Sequence, residues 1–294
     1  MRFMHAVHFI QHQSHIGPGQ LAVDLAQLGA RVRVHRAWEG PETLATIPDS
    51  DSLVVLGGNM NAYADEDAPW LPQVRDLLAR RVCVPSPTLG ICLGHQLLAV
   101  ATGGKVEVGA SLGEERGLTA IGWDPAANVA TGAPDADSLP ATAASDADSL
   151  PATGARDAGS YPATAETTTR VSSGAPSTPT GAASQGLGAG LDAAAILGRP
   201  SVVFSDHADA VAQIPAAGLV WARSNRYPQV MTVGNVLSVQ FHPEVNEDLL
   251  AQWYREREPQ AYPAALAVYR TQSAALNATC RALSHWLATG TILQ

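Results

Sequence analysis

A cysteine flanked by glycines, in the segment from Gly90 to Gly94, is the clearest place in the sequence for covalent chemistry. The preceding residues, Thr88 to Ile91, suit a short buried strand, and residues 93–101 carry leucines at helical spacing before a glycine pair. A strand, a sharp turn and a helix form a nucleophile elbow, with cysteine where a hydrolase carries serine. The positive end of the helix favours thiolate over thiol. The pattern predicts that Cys92 is a nucleophile. The alternative is a buried cysteine beside two turn glycines.

A histidine and a glutamate that follow an apolar segment, residues 237–241, are the second candidate pair. His242 and Glu244 are two residues apart in an extended stretch, so their side chains leave the same side of the backbone, and Pro243 stiffens it. Cysteine acyl transfer needs a base near the sulfur and a third group that orients the base. We therefore expect Glu244 to bind one ring nitrogen of His242 while the other faces Cys92. The alternative is a polar strand end.

A pair of glycines after another apolar segment could complete such a site. In a nucleophile elbow the oxyanion is held by the amide after the nucleophile and by an amide from another strand-end loop. These amides would belong to Leu93 and Gly58, with Gly57 shaping the loop. The alternative is that the glycine pair forms an ordinary turn.

The elements that must position these residues alternate between strands and helices. The predicted strands of the first half are Phe3–Ile10, Arg31–His35, Leu53–Leu56 and Thr88–Ile91. The helices between them are expected to turn leucines and a valine inward: Leu21, Leu25 and Leu28 in the first, and Leu71, Val74, Leu77 and Leu78 in the second. This order predicts an α/β fold with a doubly wound, mostly parallel sheet, whose ligands sit at the carboxyl ends of the strands. Gly57, Gly58 and Cys92 would share that edge.

The last third of the chain predicts a small additional antiparallel section and two closing helices. Candidate strands are residues 201–204, 219–222, 229–233 and 237–241, and the helices cover about 247–256 and 262–287. The sequence therefore predicts a single domain over 1–294, with a core of about 1–125 and 196–294.

Residues 126–195 differ from this core, because Ala, Thr, Ser, Gly, Pro and Asp dominate them. The segment from Asp135 to Thr142 recurs from Asp146 to Thr153 and, less exactly, from Asp157 to Thr164, which is an 11-residue period. A proline in every copy argues against a helical supercoil. The composition predicts a long disordered insertion that grew by duplication.

Composition excludes several classes of function. The formal net charge of -9 and the lack of clustered Lys and Arg argue against a nucleic-acid partner. No stretch approaches the roughly eighteen apolar residues of a membrane span, and the N-terminal apolar run is too short for a signal peptide. Three cysteines form no disulfide framework, which is typical of the cytoplasm. His5, His8, His12 and His15 lack a metal-binding spacing, so we expect neither a metal nor a cofactor.

Taken together, the motifs resemble those of the class I (triad) glutamine amidotransferases. The resemblance is carried by GICLGHQ at residues 90–96 and VQFHPE at 239–244, and it covers about residues 3–124 and 200–245. VLGGNM at 55–60 is similar to the stand-alone, GMP-synthase-like members of bacteria, together with the segments at 65–67 and 69–71. The resemblance implies a flavodoxin-like fold and a cytoplasmic enzyme that hydrolyses L-glutamine.

Carried over by position, the resemblance makes Cys92 the nucleophile, His242 the acid/base and Glu244 its orienting partner. It makes Gly58 and Leu93 the oxyanion donors, and it implies that Gly57 and Gln96 contact the substrate. His207 and Asp209 match a His-x-Asp segment of the subfamily, without an assigned role. Asn59 departs from the family pattern, because the subfamily usually has proline after the paired glycines.

Three functions remain open from the sequence. The first is a glutamine amidotransferase that releases ammonia to an acceptor or to a separate synthetase, since the chain has no phosphate-binding loop of its own. The second is a gamma-glutamyl hydrolase that uses the same triad on gamma-glutamyl amides or peptides. The third is a non-catalytic regulatory subunit with a vestigial site.

Overall fold

The computed structural model describes residues 6–124 and 191–293. Most of the predicted insertion, residues 126–190, lies outside the described residues. The strands are β1 (Ala6–Gln11), β2 (Arg31–Arg36), β3 (Ser52–Val55), β4 (Thr88–Ile91), β5 (Lys105–Glu107), β6 (Glu115–Ala120), β7 (Gly122–Trp123), β8 (Val202–His207), β9 (Ala210–Gln213), β10 (Gly218–Arg223), β11 (Pro228–Val233) and β12 (Val236–Val239). The α-helices are α1 (Gly19–Gln27), α2 (Leu71–Arg81), α3 (Leu93–Ala101), α4 (Ala193–Leu197), α5 (Glu247–Arg257) and α6 (Tyr262–Thr289), with 3-10 turns at Pro41–Thr46 and Pro259–Ala261.

An eight-stranded sheet runs through the centre in the order β2-β1-β3-β4-β12-β11-β10-β7. The first five strands are mutually parallel, and β11, β10 and β7 continue the sheet antiparallel. Two small antiparallel pairs, β5 with β9 and β6 with β8, stand beside it. The predicted fold class is therefore confirmed, including the additional antiparallel section.

Helices cover both faces of this sheet, and the strands alternate their side chains between the two layers. Phe9 and Val54 join the layer that contains residues of α1, α4 and α6, whereas Ile10 and Val55 join the layer of α2 and α3. This alternation follows from the two-residue period of a strand. Because the central strands are buried on both faces, their sequences are nearly continuous runs of apolar residues.

Two sequence predictions about packing need correction. Leu28 was expected to face inward with Leu21 and Leu25, but it is 41% exposed, because α1 ends at Gln27 and the chain turns away at Gly29 with φ of 76°. Ordered structure also resumes before residue 196. The side chain of Asp192 accepts a hydrogen bond from the Ala195 amide and so begins α4, in which Ala193 and Ala194 are buried.

The described helices include none that is long and apolar enough to span a lipid bilayer. The longest, α6, has 28 residues and packs on α1 and α5. Its buried residues, among them Tyr269, Leu283 and Trp286, lie in the protein core.

The turn between β4 and α3 depends on two glycines. A Cβ at Gly90 would lie 2.7 Å from the Gly94 carbonyl oxygen, and a Cβ at Gly94 would overlap the Val55 carbonyl oxygen. Both clashes are with backbone atoms, which cannot rotate away. The glycines therefore allow α3 to start directly against the ends of β3 and β4.

We expect Gly94→Ala to lower the free energy of unfolding by about 2 kcal/mol or more, because its Cβ has no space beside β3. Gly122→Ala is the matched control, since a Cβ there meets nothing within 4 Å. It should change the free energy of unfolding by less than about 0.5 kcal/mol. Denaturant unfolding followed by circular dichroism measures both, and equal stability of the two variants would contradict the proposed close approach.

Candidate active site

Cys92 lies at the junction of β4 and α3, in a conformation that non-glycine residues rarely adopt. Its φ is 51° and its ψ is -103°, and the side chain is only 6% exposed. Its amide donates to the Val239 carbonyl oxygen at 2.8 Å, and its carbonyl accepts from the Gln96 amide at 3.1 Å. Such a conformation costs on the order of 1–3 kcal/mol and persists only where surrounding structure enforces it. The fold therefore fixes the direction in which the sulfur points.

His242 and Glu244 follow β12, the parallel neighbour of β4, and they contact each other as predicted. His242 Nδ1 lies 2.7 Å from Glu244 Oε1, and both side chains are buried. The His242 amide donates to the Phe204 carbonyl oxygen, and the Glu244 carbonyl accepts from the Gln20 amide, both at 2.8 Å. The two residues are thus held by β8 and by the start of α1.

The imidazole of His242 lies beside Cys92. A Cβ at Gly57 would lie 3.0 Å from His242 Cε1 and 3.5 Å from Cys92 Cβ, so the three residues meet at one point. Burial opposes the charged imidazolium, but the negative charges of Glu244 and Cys92 and their hydrogen bonds outweigh it and raise the pKa of His242 well above its ordinary value. The arrangement therefore favours the charged imidazolium form of His242.

Trp253 on α5 is a further residue of the candidate site. Its ring meets the His242 ring edge-on, with centroids 4.8 Å apart and an interplanar angle of 72°. Trp253 is 2% exposed, so it closes one side of the imidazole against water. A tryptophan on the helix that follows the His-Pro-Glu segment was the available signal.

The loop after β3 is hydrogen-bonded to the segment that follows β1. The Asn59 amide donates to Gln13 Oε1 at 2.7 Å, and Asn59 Nδ2 lies 3.1 Å from His15 Nε2. A Cβ at Gly58 would lie 2.8 Å from Leu93 Cδ2, so the side chain of Leu93 packs against this loop. The resemblance to the family leads one to expect proline at position 59. Proline has no backbone N–H, so it could not make the hydrogen bond that the Asn59 amide makes to Gln13.

Gln96 is buried under the nucleophile. Its Nε2 donates to the Asp209 carbonyl oxygen at 2.9 Å and lies 3.4 Å from Gln240 Oε1. Gln240 received no role from the sequence. It is fully buried, and its Nε2 lies 3.7 Å from Cys92 Sγ. The predicted contact of Gln96 with substrate stays a prediction.

Comparison with known proteins shows the family to which this chain belongs. A family model described as glutamine amidotransferase class-I matches residues 19–254. The chain belongs to the class I glutamine amidotransferase family. Two solved amidotransferases share the fold: one from Thermotoga maritima (18% identity, TM-score 0.66, covering 97% of this chain and 98% of that one) and one from Methylobacillus flagellatus (20% identity, TM-score 0.63, covering 98% and 96%).

Curated relatives match over shorter segments. The carbamoyl phosphate synthase small chain of Mesorhizobium japonicum is 43% identical over 82 residues, which are 28% of this chain and 19% of that protein. Gamma-glutamyl peptidase 4 of Arabidopsis thaliana is 38% identical over 56 residues, which are 19% of this chain and 22% of that protein. These matches span about a fifth of each relative.

The His-x-Asp segment of this amidotransferase lies in a buried polar cluster beside Gln96. His207 Nε2 lies 3.0 Å from Glu115 Oε2, which also accepts from Gln229 Nε2 at 2.6 Å. His207 Nδ1 lies 3.1 Å from the Asp209 carbonyl oxygen, so both ring nitrogens face oxygen acceptors. Burial, and then the charge of His207, lower the pKa of nearby His95 to about 3.

The N-terminal histidines that the structure describes contact residues of different segments. His8 contacts His35 and Asp51, and His12 Nδ1 accepts from Trp70 Nε1 at 3.0 Å. Burial lowers the pKa of His12 to about 4, which agrees with a neutral ring that accepts a hydrogen bond. Within residues 6–124 and 191–293, no three His, Cys, Asp or Glu side chains are arranged to hold a metal ion.

We expect Glu244→Gln to lower the pKa of His242, because the carboxylate is the largest of the influences that raise it. A pKa raised in the folded state stabilises the fold below the unfolded value of about 6.5, and this contribution is lost as the pH rises through the folded value. The stability deficit of the variant should therefore be largest near pH 6 and shrink at higher pH. Nitrogen-15 NMR of the imidazole and denaturant unfolding measure the two effects.

Glu247→Gln is the matched control, because Glu247 is a surface carboxylate that pairs with Arg270. It should leave the His242 titration unchanged. An unaltered His242 titration in Glu244→Gln would contradict the assigned electrostatic role of the carboxylate.

Proposed function

We propose that this chain is a cysteine-nucleophile glutamine amidotransferase that hydrolyses the side-chain amide of L-glutamine. One observation carries the proposal: the buried imidazole of His242 is paired with Glu244 through Nδ1, and its ring meets Cys92 at the loop of Gly57. This is the arrangement that nucleophilic acyl transfer requires. Cys92, His242 and Glu244 are then the nucleophile, the acid/base and the orienting group.

In the first step, Cys92 Sγ bonds to the amide carbon of glutamine, and the carbonyl electron pair moves onto oxygen. The amides of Gly58 and Leu93 hold that oxyanion. Its collapse breaks the carbon–nitrogen bond, and the nitrogen takes the proton of His242 Nε2 and leaves as ammonia. The raised pKa of His242 suits this step, because it keeps the proton available until the leaving group forms.

In the second step, a water molecule attacks the thioester carbon and gives its proton to the now neutral His242. The new oxyanion collapses, the carbon–sulfur bond breaks, and glutamate leaves with the sulfur again a thiolate. The imidazolium that results is stabilised by Glu244 as before. Each turnover therefore consumes glutamine and water and produces glutamate and ammonia, without a metal or cofactor in any step.

Gly58 is favoured over Asn59 as the second oxyanion donor. The Asn59 amide already donates to Gln13 at 2.7 Å, whereas Gly58 lies beside Leu93. We assign Gly57 to the loop that approaches His242 and Cys92, where a side chain would crowd the substrate. Gln96 is assigned to the amino-acid end of the substrate by resemblance alone.

The ammonia is proposed to pass to an acceptor on a separate synthetase. Support comes from the relatives named as small chains of carbamoyl phosphate synthase, a name that implies a larger companion chain. We infer that residues 126–192 form an insertion in a single amidotransferase domain, because the proposed site residues all belong to the segments on either side of it. A cytoplasmic location and a bacterial, GMP-synthase-like role complete the proposal.

A second candidate is hydrolysis of gamma-glutamyl peptides or amides by the same triad. It is favoured by the match to a protein named gamma-glutamyl peptidase 4. The two candidates share the acyl half of the substrate and differ in the leaving group, which is ammonia in one and a larger amine in the other.

We expect Cys92→Ala to abolish glutaminase activity, by at least about 10⁴-fold, because no other side chain reaches the substrate carbon as a nucleophile in the proposed mechanism. Release of glutamate and ammonia is the measurement. Cys83→Ala is the control, since Cys83 is exposed and precedes β4, whereas Cys92 follows it, and it should retain full activity. Wild-type turnover by Cys92→Ala would refute the assignment. Failure of a glutamine-analogue electrophile to label Cys92 would instead favour a regulatory subunit.

We expect kcat/KM for glutamine to exceed that for gamma-glutamylglycine by at least about tenfold. The physical reason is the small space around the pair, because Cys92 is 6% and His242 5% exposed, and ammonia needs less room than a peptide amine. Steady-state kinetics with both substrates on one preparation measures the ratio. A ratio that favours the peptide would replace the first candidate by the second.

A further inference from the structure

A buried amide touches the sulfur of the proposed nucleophile. Gln240 is 0% exposed, and its Nε2 lies 3.7 Å from Cys92 Sγ. It precedes His242 by two residues, so it leaves the same extended segment that delivers the imidazole. An amide N–H that faces a thiolate in a water-poor site stabilises the charge, since few solvent dipoles are available there.

The orientation of this amide is fixed by a short series of hydrogen bonds. The Asp209 carbonyl only accepts, so the atom of Gln96 that lies 2.9 Å from it must be Nε2. The same Nε2 lies 3.4 Å from Gln240, whose facing atom must then be the acceptor Oε1. Gln240 is left with its Nε2 toward the sulfur. Gln96 thus determines which end of Gln240 meets Cys92.

The Asp209 carbonyl, on which this series ends, is itself held in place. His207 Nδ1 lies 3.1 Å from it, and the Asp209 carboxylate accepts from the Gly109 amide at 2.8 Å. His207 is in turn anchored by Glu115 at 3.0 Å. The His-x-Asp segment therefore supplies a rigid end point, which accounts for its position beside the elbow.

We propose that Gln240 is a further catalytic residue that donates a hydrogen bond to the Cys92 thiolate, and that Gln96 is a positioning residue that acts on the sulfur through Gln240. The inference rests on the proposed function. In the mechanism the sulfur is a thiolate twice, before it attacks glutamine and when it leaves the thioester. A hydrogen-bond donor held next to the sulfur would stabilise the thiolate in both steps.

The test is the pH dependence of Cys92 alkylation by iodoacetamide in the full chain without glutamine. The modified Cys92 peptide is followed by mass spectrometry, which separates it from Cys83 and Cys280. We expect Gln240→Leu to move the midpoint of the rate curve up by about one pH unit, which is about tenfold slower alkylation below the midpoint. Gln240→Glu keeps the shape but removes the donor, and it should move the midpoint at least as far.

Gln96→Leu and the double variant test the relay. Gln96→Leu should shift the midpoint in the same direction by less than Gln240→Leu, and the double variant should shift it no further than Gln240→Leu alone. Because no substrate is present, a role of Gln96 in glutamine binding cannot produce this result. Equal and additive shifts would show that Gln96 acts independently of Gln240.

Ser238→Ala is the matched control. Ser238 is also fully buried on β12, and it donates to the Met231 carbonyl oxygen rather than to the sulfur. It should lower the melting temperature without moving the alkylation midpoint. A wild-type midpoint in folded Gln240→Leu, or in Gln240→Glu where the leucine variant does not fold, would overturn the proposal.

The outcome is separable from the proposed function. If the wild type hydrolyses glutamine and the midpoint does not move in the Gln240 variants, the role of Gln240 fails and the amidotransferase assignment stands. If the midpoint moves but the wild type releases no ammonia from glutamine, the hydrogen bond to sulfur stands and the assignment of glutamine as substrate fails.

Discussion

The hydrogen bond from the Cys92 amide to the Val239 carbonyl is the constraint on which the candidate site depends. It extends the pairing of β4 with β12, in which Ile91 lies opposite Val239. This register places the residue after one strand beside the residues that follow the other, although they lie far apart along the chain. A slip by one residue would turn every side chain of β12 to the opposite face. The two-sided burial of both strands therefore protects the geometry of the site as well as the fold.

Three ionisable groups share a region with little water, and this arrangement is stable only because they compensate one another. Isolated, a buried imidazolium or carboxylate would be too costly and would become neutral. Here Glu244 and Cys92 overcome the penalty of burial on His242, and Trp253 closes the remaining side of the ring. The same exclusion of water that raises the cost of each charge strengthens the attraction between them.

The features that could be predicted from the sequence depend on residues that are close along the chain. The features that could not be predicted depend on contacts between distant segments. The bounds of β4 and the inward leucines of α2 follow from residues that are adjacent or one turn apart, and so does the contact of His242 with Glu244. By contrast, Gln240 and the Asp209 carbonyl acquire their roles from neighbours on other elements, which no spacing in the sequence reveals. Trp253 is indicated only by its place on the helix that follows the His-Pro-Glu segment. The two packing errors have a common cause: Leu28 and Ala193 lie at helix ends, where the periodic pattern continues past the cap or begins before it.

The loop of Gly57 and Gly58 shows how one departure from the family pattern can be accommodated. A proline at position 59 would restrict the backbone covalently, by fixing φ and removing a donor. Asn59 leaves φ free, but its amide and side chain bind Gln13 and His15 on the segment after β1. The restriction is thus supplied by hydrogen bonds, which are worth about 1 kcal/mol each and are reversible. Because that segment leads into α1, whose start also binds the Glu244 carbonyl, the loop of Gly57 and Gly58 and the segment of His242 and Glu244 are connected through one stretch of chain. Displacement of residues 13–20 would therefore disturb the loop of Gly57 and Gly58 and the His242–Glu244 pair together, whereas a proline would have kept the two independent.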